Sequence, residues 1–150
     1  MSLKALIFDV DGTLANTEND GHLKAFNETF KVFELDWHWD RELYSNLLSV
    51  SGGKERIVHY INHYNPNLDR DLSVSDIGDI HNKKTEIFVN HVANGQISIR
   101  IGVERLIEEA VDSGLKLGIA TTTSLKNVKA ILTSTLGESA LNRFEVIGAG

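Results

Sequence analysis

The run Ala5-Leu6-Ile7-Phe8, followed at once by Asp9-Val10-Asp11-Gly12-Thr13-Leu14, constrains this chain more than any other stretch. A short apolar run bounded by charge reads as a buried strand, which places the aspartates in the loop that leaves it. Side chains at i and i+2 of an extended backbone point the same way. Gly12 lets the chain turn sharply just after them. Such a pair suits phosphoryl transfer. One carboxylate attacks phosphorus, the other moves a proton, and a magnesium ion sits between them and the phosphate. The competing reading is an acidic turn that caps the next helix, which needs neither the strand nor the second aspartate.

The periodicity then changes. Leu23, Phe26, Phe30 and Phe33 recur at three- and four-residue spacing, followed by Leu43, Leu47 and Val50, then by Ile57, Tyr60, Ile61 and Tyr64. Pro66, the only proline, breaks the run. Ser75-Asp76-Ile77 reads as a further helix start, with Ile80, Ile87 and Val92 as its apolar stripe. No strand pattern interrupts residues 16–94, so an all-helical insert is expected there. After Asn94-Gly95 the pattern is amphipathic helix (Val103 to Val111, ended by Ser113-Gly114), strand (115–120), helix (through Val128, Ile131 and Leu132) and strand (Phe144 to Ile147). Strands alternating with helices predict an α/β fold with a parallel, Rossmann-like sheet, built from residues 1–15 and 95–150 around the insert. Sites in such sheets lie beyond the carboxyl ends of strands. Asp9, Asp11 and Thr121 are then expected at one edge.

Composition narrows the partners. Net charge is −6, from 21 acidic and 15 basic residues, which argues against non-specific nucleic-acid binding. A bound magnesium ion and a few placed cations still permit an anionic substrate. No apolar run approaches the length of a membrane span, and no signal-peptide pattern opens the chain. The absence of cysteine excludes disulfides and thiolate metal sites. The expectation is a cytoplasmic monomer acting on a small molecule.

Thr121 closes the second strand. Its hydroxyl, together with the N–H groups of the following helix, can hold phosphate oxygens, with Thr122, Lys126 and Asn127 near enough to assist; an ordinary helix cap is the alternative. In Ser51-Gly52-Gly53-Lys54-Glu55-Arg56, the glycines free the backbone, and Lys54 and Arg56 offer two cations for an anion; a solvated helix start is the alternative. His59 and His63, at i and i+4, read as a helix-surface pair. Trp37 and Trp39 read as core.

The string Asp9 to Leu14 resembles motif I of the haloacid dehalogenase superfamily of phosphatases and phosphomutases. The resemblance implies that Asp9 is the nucleophile, that Asp11 is the general acid/base, and that magnesium is held by the Asp9 carboxylate, the backbone carbonyl of Asp11 and an acid from a later motif. Thr121 matches the Thr/Ser of motif II. The run from Asp11 through Thr17-Glu18 and Asp20-Gly21-His22 to Ala25-Phe26-Asn27, together with Gly52-Gly53-Lys54, is similar to the CbbY-like subgroup. That subgroup includes phosphatases of sugar bisphosphates, notably xylulose 1,5-bisphosphate. The likeness implies substrate-hydroxyl contacts from Glu18 and His22, and a cap that closes through linkers near 14–17 and 94–101. Lys54 and Arg56 are then expected on the phosphate that is not cleaved. Asn16 and Ile101 depart from the Asp and Pro usual in the family.

Val146-Ile147-Gly148-Ala149-Gly150 stops where the family continues to a motif III lysine and motif IV acids. A C-terminally truncated core is therefore expected, with weakened magnesium binding and turnover. Two other readings share the motifs: a phosphomutase of the β-phosphoglucomutase kind, and an inactive fragment or pseudoenzyme that binds phosphorylated ligands.

Overall fold

The computed structural model describes residues 3–68 and 70–150. Among the described residues three strands and six α-helices follow in the order β1 (Ala5–Phe8), α1 (Leu23–Val32), α2 (Arg41–Leu47), α3 (Gly53–Tyr64), α4 (Val74–Ala93), α5 (Val103–Asp112), β2 (Lys116–Ala120), α6 (Leu125–Leu136) and β3 (Val146–Gly148). A π-helical turn, Glu18–His22, leads into α1, and a 3-10 segment, Glu138–Arg143, precedes β3. The chain divides into two compact units: the residues up to Gly21 with Val89–Gly150, and His22–Phe88. Among the described residues no helix is long and apolar enough to cross a membrane.

The first unit is α/β. Its sheet has the order β1-β2-β3 and is parallel throughout, with Phe8 opposite Ile119 and Ile119 opposite Ile147. Strands alternate with helices, as the sequence pattern requires. Phe8, Leu117 and Ile119 are buried together with Ile107, Val128, Ile131 and Leu132 of α5 and α6. Phe8 meets Phe144 edge to face at 6.4 Å. The other face differs. Ile7 and Val146 flank Gly118 there and remain 71% and 62% exposed, whereas parallel strands ordinarily carry cover on both sides.

The second unit is helical. Its centre is an aromatic cluster: Trp39 lies 4.7 Å from Phe26, 4.9 Å from Phe30 and 5.2 Å from Tyr60, ring to ring. Each such pair adds about 0.5–1.5 kcal/mol beyond its area. Asn27 fixes the Trp39 backbone in both directions: its amide donates to the Trp39 carbonyl and its oxygen accepts the Trp39 N–H, each at 2.8 Å. Trp37 and Trp39 are thus core, as expected, and His59 and His63 stack along α3 at 3.9 Å.

Several boundaries move for local reasons. Phe33 leaves the predicted stripe because α1 ends at Val32 and Glu34 takes a positive φ of 56°. Helix α4 begins before Ser75, since Ser73 and Asp76 cap its first turn reciprocally: Asp76 accepts the Ser73 N–H at 2.8 Å and Ser73 Oγ accepts the Asp76 N–H at 3.2 Å. Arg70 grips both Asp76 oxygens and, with Ser73, holds that carboxyl well below the usual carboxylate range. The stripe of α4 runs through Ile77, Ile80, Lys84, Phe88 and Val92: Ile80 and Val92 are buried as expected, whereas Ile87 is half-buried. Asn65 in the left-handed region, followed by Pro66, stops α3.

Candidate active site

The site begins where β1 runs out. Phe8 and Val10 are buried, so Asp9 between them is turned to solvent, and Asp11 is half-buried. The Val10 carbonyl accepts the N–H groups of Thr13, Leu14 and Ala15 at 3.2, 3.0 and 3.2 Å, which curls the chain into a tight turn. Gly12, at φ 72°, makes that turn possible. The Gly12 N–H donates to the Ala15 carbonyl at 2.9 Å. In a planar trans peptide C=O and N–H point in opposite directions, so the Asp11 carbonyl is aimed away from Ala15. Among the described residues no group of three or more His, Cys, Asp or Glu side chains could hold a metal ion. The Asp9 carboxylate and the outward Asp11 carbonyl are nevertheless hard oxygen donors of the kind magnesium takes, and magnesium tolerates a small protein donor set because it keeps several waters.

Thr121 follows β2, the direct neighbour of β1, so the parallel register brings its loop to the same carboxyl edge as Asp9 and Asp11. The loop is well tied. The Thr121 N–H donates to the Gly148 carbonyl at 3.0 Å, and the Gly150 N–H donates to the Thr123 carbonyl at 3.0 Å. Thr121 Oγ1 accepts the Thr123 N–H at 3.3 Å, which leaves its own O–H to donate outward. Ser124, not Thr121, caps α6, accepting the Asn127 N–H. Thr122 and Lys126 are exposed beside it, and Asn127 is buried with its amide on Thr123 Oγ1 at 3.0 Å.

The remaining predicted residues are distributed differently. Glu18 is half-buried in the π-helical turn. His22 is not the surface histidine that its helical setting allows. It is 5% exposed in the helical unit, stacks on Phe88 at 4.1 Å and meets Lys84 Nζ at 2.9 Å. Lys54 and Arg56 both lie in α3, where i and i+2 side chains diverge, so they do not form the paired clamp that their linear spacing suggests. Lys54 is exposed. Arg56 donates to the Leu47 and Val50 carbonyls, both at 3.1 Å, and to the Tyr44 hydroxyl at 3.2 Å, thereby closing the end of α2.

Two residues of the helical unit escaped the sequence reading. Lys84 is 5% exposed, and its position on the apolar stripe of α4 is the signal that could have found it. His81 carries no such signal. A Cβ on Gly53 would come within 2.5 Å of its Nε2, so any other residue there would force the His81 ring to shift. Burial, then the charges of Lys84 and Lys54, push the His81 imidazole down to about 4.

Residues 6–147 match the haloacid dehalogenase-like hydrolase family. The chain is 48% identical to Protein CbbY of Cereibacter sphaeroides over 148 residues, covering 99% of this chain and 62% of that protein. It is 49% identical to Protein CbbY of Rhodobacter capsulatus over 150 residues, 64% of that protein. A structure of CbbY from Rhodobacter sphaeroides in complex with phosphate superposes with a TM-score of 0.88 at 48% identity, and a mutant of it in complex with xylulose-(1,5)bisphosphate with 0.89 at 47%; each match covers 99% of this chain and 64% of the other. The chain thus spans less than two thirds of the length of these relatives. Parallel sheet, aspartate loop and near-complete coverage by the family model lead to one conclusion: the chain belongs to the haloacid dehalogenase-like hydrolases.

Proposed function

We propose that this chain carries the nucleophilic half of a magnesium-dependent phosphatase of phosphorylated sugars, with xylulose 1,5-bisphosphate as the first substrate to test. The observation that carries the reading is its likeness to a CbbY structure holding xylulose-(1,5)bisphosphate, at 47% identity across 99% of the chain. In this reading residues 1–15 and 95–150 are the catalytic core and 16–94 the cap, working as a cytoplasmic or stromal monomer.

The chemistry follows from the loop. Asp9, exposed at the end of β1, attacks phosphorus through a carboxylate oxygen, and the sugar oxygen leaves with the bonding pair. Asp11 gives that oxygen its proton. It then takes one from the water that opens the aspartyl-phosphate, and free phosphate is released. Thr121 donates its O–H to a phosphate oxygen, with Thr122 and Lys126 beside it. The Asp9 carboxylate and the Asp11 carbonyl would hold a magnesium ion, which when bound would offset the negative charge of the phosphoryl group. Glu18 and His22 contact substrate hydroxyls. Lys54 takes the uncleaved phosphate, and Arg56 supports the helix that presents it.

The test is phosphate release from xylulose 1,5-bisphosphate with and without magnesium, by the chain and by an Asp9→Asn variant. Magnesium-dependent release lost in the variant supports the reading. Glucose 6-phosphate formed from β-glucose 1-phosphate would mark a mutase instead, and ligand binding without any release would mark a binder.

A further inference from the structure

Arg100 sits beside the aspartate loop although 88 residues separate it from Gly12. The segment around it is zipped to the loop through the backbone. The Arg100 N–H donates to the Leu14 carbonyl at 2.9 Å, the Asn16 N–H donates to the Ser98 carbonyl at 3.3 Å, and Ala15 pairs antiparallel with Ile99. The guanidinium then reaches further along the turn. Its Nη1 donates to the Gly12 carbonyl at 3.0 Å and to Asn16 Oδ1 at 3.3 Å.

The significance lies in what a glycine leaves undetermined. Two peptide planes meet at Gly12, and they rotate about its φ and ψ with less steric resistance than at any other residue. One plane is held by the Gly12 N–H on Ala15 and contains the Asp11 carbonyl. The other contains the Thr13 N–H, which donates to the Val10 carbonyl at 3.2 Å, and the Gly12 carbonyl, which the Arg100 guanidinium holds with a second, charge-assisted bond. With both planes held, neither dihedral is free to drift.

We propose that Arg100 is a positioning residue for the aspartate loop: by holding the Gly12 carbonyl and the Asn16 side chain, it fixes the direction in which Asp11 offers its backbone carbonyl to a metal ion. This rests on the reading that the loop binds magnesium.

The experiment titrates Mg2+ into nitrogen-labelled chain, following the amide shifts of residues 9–12, and measures amide hydrogen exchange at Gly12 and Asn16. It compares the wild type with Arg100→Met, Arg100→Lys and the milder Asn16→Ala. Arg100→Met should weaken Mg2+ binding and speed exchange at Gly12, each by about tenfold, the equivalent of one charge-assisted bond. Arg100→Lys, which keeps a cationic donor, should recover part of both, and Asn16→Ala should show a smaller loss. Unchanged Mg2+ affinity in Arg100→Met overturns the proposal even if exchange quickens, because Arg100 would then only fasten the backbone. A wild-type chain whose amides do not respond to Mg2+ removes the magnesium reading itself and the positioning role with it.

Discussion

Lys84 Nζ lies 2.9 Å from Nδ1 of His22, with both side chains 5% exposed in the helical unit. An ammonium can only donate, so Nδ1 accepts and a neutral imidazole carries its proton on Nε2. Lys84 also lies 4.9 Å from the Phe26 ring centre and 5.4 Å from that of Phe88, faces that attract a cation. Replacing Lys84 with Met keeps the apolar stem and removes the donor. The variant should lose about 1–3 kcal/mol, the usual cost of taking away one partner of a buried hydrogen bond. Urea denaturation of both proteins checks this, and an unchanged midpoint would show that the contact contributes nothing.

Asp9→Asn removes the attacking oxyanion but preserves shape and exposure. Phosphate release should fall by several orders of magnitude while the far-ultraviolet circular dichroism stays as it is. Substantial residual release would displace Asp9 as nucleophile.

Trp39 is fully buried among Phe26, Phe30, Tyr44 and Tyr60. Trp39→Ala should cost about 3–5 kcal/mol, from lost transfer energy and the cavity left behind. Thermal or urea unfolding reads this directly, and a cost under one kilocalorie, roughly the scale of a surface change, would mean that the cluster collapses to fill the gap.

His81 gives a pH dependence of known sign. Its folded imidazole is pushed down to about 4 by burial, Lys84, Lys54 and Arg56, with Glu55 opposing, whereas an unfolded histidine titrates near 6.5. The unfolded chain therefore binds the extra proton between those values. The stability that His81 contributes is complete above pH 6.5 and declines as pH falls towards 4. Denaturation series across this window should show a shallower acid slope for His81→Gln than for wild type; parallel slopes would remove His81 as the cause.

Lys54→Ala should raise KM for a sugar bisphosphate far more than for a monophosphate, because a solvent-facing cation matters only where a second phosphate reaches it. Equal effects on both substrates would detach Lys54 from the uncleaved phosphate.

The strands and the aspartate loop were legible because their signals are local. Four apolar residues, two acids and a glycine state strand, site and turn within ten positions. Arg56 misled because Lys-x-Arg is adjacent on paper but divided by the helix, and the guanidinium found nearer acceptors in the Leu47 and Val50 carbonyls and the Tyr44 hydroxyl. Thr121 is ambiguous in a run of three threonines and a serine; only the folded loop decides that Ser124 caps α6. Lys84 required an unusual inference, that a charged residue on an apolar stripe is buried against a histidine 62 positions away. Arg100 had no local signal at all, since one acceptor is a backbone carbonyl, which looks the same at every position of a sequence, and the other, Asn16 Oδ1, lies 84 positions away.

Trp37, Trp39, Tyr44, Tyr60 and Tyr64 are the only tryptophans and tyrosines in the chain, and every one lies in His22–Phe88. Absorbance at 280 nm and tryptophan emission therefore watch the helical unit alone, because the rings of the sheet unit, such as Phe8 and Phe144, contribute almost nothing there. A melt followed by tryptophan emission and one followed by backbone dichroism observe different parts of the molecule, and any gap between their midpoints measures how independently the two units come apart.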